Sequence, residues 1–141
     1  MARPRIPDAD GLAAVRACVD PVGPDQPEPA EPSPADRPGQ QDLRTDRATQ
    51  RLAVRYTLQL LTDRAPGHSV EVRIPPFAAV QAIPGPVHRR GTPSAVIEMD
   101  PATWLALATG ELSWAQAKAA GRIRASGERA DLAPWLPLVI S

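Results

Sequence analysis

Between Asp100 and Leu138 the sequence DPATWLALATGELSWAQAKAAGRIRASGERADLAPWLPL leaves the backbone few choices. Asp100 is a helix N-cap and Pro101 occupies the first helical position, where its missing N–H costs nothing. Trp104, Leu107 and Ala108 then fall on one face, and Gly110 supplies the stop. Ser113 with Gln116 three residues on is a capping box for a second helix, which Gly121 closes. Arg122 to Ser126 alternates, with Ile123 and Ala125 facing one way and Arg122 and Arg124 the other, the pattern of a half-buried strand. Gly127 turns the chain into a last short helix or apolar arm carrying Leu132, Trp135, Leu136 and Leu138.

Upstream, residues 8–20 (DADGLAAVRACVD) form a short amphipathic helix. Asp8 or Asp10 caps it, Leu12, Val15 and Val19 share a face, and Pro21 ends it. Residues 21–42 contain seven prolines and read as an acidic linker with almost nothing to bury. Extended as polyproline II it would reach roughly 60 Å, enough to lay the first helix anywhere on a small domain. The compact part begins near Leu43 with a helix to Arg64. Arg44, Arg51, Arg55 and Thr62 occupy one narrow sector of that helix, and apolar residues fill most of the remaining circumference, so it is expected to be buried on two sides. Residues 69–74 (SVEVRI) alternate as a strand, with Val70, Val72 and Ile74 inward. Pro75-Pro76 interrupts the ladder, and Phe77–Ile83 reads as a second strand or a bulged continuation. Ala95–Met99 is a third strand and Arg122–Ser126 another. Strands precede helices with one long helix in front, so the class is α+β and not doubly wound.

The order helix–glycine–helix–glycine–strand–glycine–helix resembles the C-terminal half of the sterol carrier protein 2 family. The phrases VEVRIPPFAAVQ, RGTPSAVIEMD and ASGERADL look like the small actinobacterial branch of that family, the bacterial sterol-carrier orthologues, over roughly residues 43 to 140. The resemblance implies a twisted sheet of about five strands, antiparallel or mixed, covered on one side by helices. It also implies an apolar cavity between the layers. The residues that would line it are Leu58, Leu61, Phe77, Val80, Ile97, Trp104, Leu107, Trp114, Trp135 and Leu136. The same side chains at the same spacing also build an ordinary filled core, and periodicity does not distinguish the two. The proline-rich N-terminal extension and the Pro75-Pro76 break depart from the family pattern, and both bear on the cavity's shape.

Signals for catalysis are sparse. The chain has no G-x-S-x-G, phosphate-binding glycine loop, C-x-x-C or H-E-x-x-H. One cysteine, Cys18, and two histidines, His68 and His88, are too few for a dedicated transition-metal site. No cofactor is expected. The polar loop GPVHRRGTP offers His88, Arg89 and Arg90 to a carboxylate or phosphate headgroup, unless its charges are merely solvated. The run from Gly121 to Asp131 would make an anion site if Arg122, Arg124 and Arg129 met backbone N–H groups at a helix start. The plainer reading pairs Arg124 or Arg129 with Glu128 or Asp131 to hold the turn.

Sixteen basic residues balance sixteen acidic ones, so bulk charge draws the chain to neither nucleic acid nor an anionic membrane. The lone cysteine fits a reducing cytosol. MARPRIPDADG lacks the apolar core of a signal peptide and no run reaches membrane-spanning length, so a soluble cytoplasmic protein without integral membrane association is expected. The chain divides into an N-terminal extension (1–20), a linker (21–42) and a sterol-carrier-like domain (43–141). The expected function is non-catalytic: a fatty acid, acyl-CoA or sterol-like lipid held in an apolar cavity. The alternative is an accessory or protein-interaction module of the same fold without bound lipid, whose partner is another protein or a second copy of the chain.

Overall fold

The computed structural model describes residues 5–19, 45–85, 95–127 and 130–139. Its sheet is built on the alternation of β1 (Val70–Ile74), where Val70, Val72 and Ile74 are fully buried and Arg73 faces solvent. β1 is an inner strand, paired antiparallel with β2 (Ala78–Ala82) and parallel with β3 (Ala95–Glu98). β4 (Arg124–Gly127) adds antiparallel to β3, giving the order β2-β1-β3-β4. Opposite residues share a face, so Val72, Val80, Ile97 and Ala125 form one row across the sheet. The mixed sheet therefore has four strands rather than about five. All four correspond to alternating runs, and the described chain after β4 supplies no fifth, because Ala133–Trp135 is a 3-10 turn followed by Pro137.

The helices lie against the buried face of this sheet. α1 spans Asp8–Val19, α2 Arg47–Arg64, α3 Pro101–Thr109 and α4 Trp114–Ala119. Both caps in the C-terminal half form as the residues dictate. The Asp100 carboxylate accepts from the Thr103 N–H at 3.1 Å, and Gly110 ends α3 in the left-handed conformation at φ 84°. The Ser113 hydroxyl and the Gln116 amide complete a reciprocal capping box on α4. On α3, Trp104, Leu107 and Ala108 are buried as a group.

Three expectations are corrected. α2 begins at Arg47, because Asp46 is extended; Leu43 and Arg44 lie outside the described residues. α1 buries Gly11, Ala14, Val15 and Cys18, so of the expected stripe only Val15 is fully buried, with Leu12 and Val19 half-buried beside it. The reason is close approach: small residues let the helix backbone sit directly on Tyr56 of α2, and a Cβ at Gly11 would lie 2.1 Å from the Tyr56 ring. The last strand is not half-buried, since every residue of β4 is exposed and the helical layer does not reach it. The final apolar segment is a short helix as expected, a 3-10 turn over Ala133–Trp135, with the Leu138 and Val139 N–H groups donating to the Ala108 carbonyl at the end of α3. Arg64 in the last turn of α2 clamps the same segment, donating to the Trp135 and Pro137 carbonyls at 3.0 and 2.7 Å. The linker expected over 21–42 lies outside the described residues.

Candidate functional site

The ten residues expected to line a cavity separate into three groups. Leu61, Ile97, Trp104 and Leu107 are fully buried in the hydrophobic core, and Trp114 is nearly so. Trp104 is anchored by a buried hydrogen bond from its indole N–H to the Thr57 hydroxyl at 2.7 Å. Trp135 and Leu136 are half-buried at the edge of that core. Leu58 is also fully buried in the core, and with the half-buried Phe77 and Val80 it lines a solvent-accessible groove of about 420 Å³ between α2 and the edge strand β2.

α2 contributes Arg55, Leu58, Gln59 and Thr62 to the groove, and Phe77 with the first half of β2, Ala78, Ala79 and Val80, contributes the rest of that side. These α2 positions recur every three or four residues, which is why one helical face presents them together. Phe77 is half-buried, and the Arg47 guanidinium lies over its ring, 5.7 Å from the centroid. The groove thus has an apolar floor with cationic groups of α2 above it. Arg47, Arg51 and Arg55 follow one another at i, i+4 spacing, and no carboxylate among the described residues forms an ion pair with any of them.

The third wall was not foreseen. Arg5 and Ile6, just before α1, close the groove on the side away from β2. The Ile6 peptide is gripped by one side chain: its N–H donates to Gln59 Oε1 at 2.9 Å, and its carbonyl accepts from Gln59 Nε2 at 3.1 Å. Arg5 forms a bidentate ion pair with Asp63, which holds that carboxyl below the usual range. Asp8 accepts from the Tyr56 hydroxyl at 2.8 Å; burial first, and this hydrogen bond second, push the phenol up to about 12. The only local hint is Ile6 itself, an apolar residue placed just before Pro7 and a helix start.

His88, Arg89 and Arg90 lie outside the described residues, as do Glu128 and Arg129. Arg124 is 3.9 Å from Glu98 on the neighbouring strand, and the Asp131 carboxylate accepts from the Ala133 N–H at 2.8 Å to open the 3-10 turn. No cluster of metal-ligating side chains occurs among the described residues, and no described helix is long and apolar enough to cross a membrane.

With this geometry in place, comparison with family models decides the relationship: residues 46–138 match the model described as bacterial SCP ortholog. The chain belongs to that family. Comparison with the curated proteins returns no match. The bacterial SCP-orthologue region begins at Asp46, the residue before α2, so α1 and the Arg5–Ile6 wall lie outside the matched region. Membership in a sterol-carrier-type family suggests a lipid-binding protein with a hydrophobic ligand.

Proposed function

We propose that this chain binds a single-chain lipid, a fatty acid or a close derivative, in the groove between α2 and β2. The observation that carries the reading is the pairing of the half-buried Phe77 and Val80, packed over the buried Leu58, with Arg55 at the groove, in a chain of the SCP-orthologue family. Acyl surface taken from water would contribute roughly 25 cal/mol per Å² before entropic costs. A cation at the rim then selects an anionic headgroup over a neutral one. The role is that of a non-catalytic cytosolic carrier, acting by burial and release.

One observation favours a second reading, an accessory module that carries no lipid. Trp104, Leu61, Ile97 and Leu107 occupy the space between sheet and helices as packed core, so ligand capacity rests on the peripheral groove. Thermal melting decides between the two. A carrier melts higher with added oleate, because ligand that binds only the folded state stabilises it. Tryptophan emission then shifts over the same concentration range. An unchanged melting point with fatty acids of several lengths and with sterols, together with lipid-free protein by native mass spectrometry, leaves the accessory module.

A further inference from the structure

A second groove, of about 480 Å³, lies between α1 and α2, where Thr49 and Leu52 meet Ala13 and Ala14. Arg5 and Ile6 line this groove as well as the α2–β2 groove. The two spaces are therefore neighbours along one helix, with the same two residues as the wall between them. Together they follow α2 from Thr49 to Thr62, about 20 Å of helix at 1.5 Å per residue, a run that matches a long acyl chain rather than a short one. Joined, they would approach the upper end of the usual ligand-pocket range of about 300–1,000 Å³.

The wall is built to be lifted. It is held to α2 by polar contacts at its outer side, the exposed Arg5–Asp63 ion pair and the Gln59 amide on the Ile6 peptide. Contacts of that type hold a segment in place yet exchange readily with water. Ile6 contributes the apolar part, half-buried against the core. An acyl chain entering along α2 would take up the apolar surface that Ile6 covers, and the peptide and Arg5 would return to solvent.

We propose that the segment Arg5–Pro7 is a removable partition: it confines short apolar ligands to one groove, and long-chain ligands displace it to join the two. This rests on the lipid-binding reading above, and its consequence is selection by chain length. The experiment uses the full chain and two probes, oleate and octanoate, with amide hydrogen exchange at Ile6 and binding affinity as readouts. Oleate should accelerate exchange at Ile6 while octanoate leaves it unchanged. Asp63→Ala, which frees Arg5 without lining either groove, should tighten oleate binding by up to about fivefold, the ceiling for an exposed ion pair, and leave octanoate affinity unchanged. Gly11→Ala, which forces α1 off Tyr56 and takes Asp10, Ala13 and Ala14 away from the second groove, should weaken oleate binding and leave octanoate affinity unchanged. Oleate binding only to the Asp63→Ala variant would show a barrier that the ligand does not lift, and would overturn displacement by ligand. Oleate binding equally to wild type and both variants, with Ile6 exchange unchanged, would overturn the partition and leave the lipid reading standing. Failure of both probes to bind any of the three proteins would overturn the two together. Should Gly11→Ala fail to fold, the Asp63→Ala affinities and the wild-type exchange still decide.

Discussion

Trp104 of α3 and Thr57 of α2 are joined at the centre of the core, the indole N–H donating to a hydroxyl that is itself bonded to the Ala53 and Val54 carbonyls at 2.8 and 2.9 Å. Both residues are fully buried, so this hydroxyl satisfies the polar atom of a large indole in the interior. Thr57→Val keeps the shape and removes the acceptor. The buried N–H is then orphaned, at a cost of about 1–3 kcal/mol. Chemical denaturation should show that loss. Thr57→Ser should recover most of it, and in a Trp104→Phe background Thr57→Val should cost clearly less.

Gly11 sets how closely α1 approaches α2. Any side chain there meets the ring carbons of Tyr56 at 2.1–2.5 Å, well inside contact distance. Gly11→Ala is expected to undock α1 while leaving the sheet and α3 intact. Hydrogen exchange should become fast over residues 8–19 and stay slow in β1. Uniform protection across both would show that the ring moves aside and that the close packing is dispensable.

Alkaline pH should loosen the same interface. Burial pushes the Cys18 thiol up to about 11 from an ordinary value near 9, and Tyr56 rises to about 12 from near 10. In both cases the folded state prefers the neutral form. The stabilisation is complete below the unfolded values and disappears as pH rises through the folded ones, over about pH 9–11 for the thiol and 10–12 for the phenol. Melting temperature should fall across that window. Cys18→Ala should remove the lower part of the fall and Tyr56→Phe the upper part.

Headgroup choice is the sharpest check on the groove. Arg55→Ala is expected to weaken oleate binding several-fold while leaving the affinity for oleyl alcohol unchanged, since only the acid carries the charge that the guanidinium attracts. The paired substitution Arg89→Ala with Arg90→Ala tests the other headgroup candidates. Equal oleate affinity for that variant and wild type removes the loop from the site. Isothermal titration with both ligands reads the two arms.

Local signals wrote much of this fold into the chain. Asp100-Pro101 and the Ser113–Gln116 box both cap helices where they stand, and the Val70, Val72, Ile74 alternation is the buried face of β1. What stayed illegible depends on partners distant in sequence. Ala125 has the period of an inward residue yet is exposed, because whether a face is covered depends on how far the helices extend and not on the strand. The parallel pairing of β1 with β3 is equally invisible locally. Of the proposed lining residues, Leu58 and Leu61 are both core residues, and periodicity could not tell them from the half-buried Phe77 and Val80 at the groove. The Ile6 wall was hidden for the same reason, since its partner Gln59 is 53 residues along the chain.

Asp63 and Arg64 are consecutive, yet one holds the segment before α1 through Arg5 and the other holds the segment after the 3-10 turn through the Trp135 and Pro137 carbonyls. A single helical turn thus fastens both outer margins of the described fold. In mechanical terms, a load applied between residues 5 and 137 would pass through the end of α2 and leave the sheet ladders unstressed until that clasp opened.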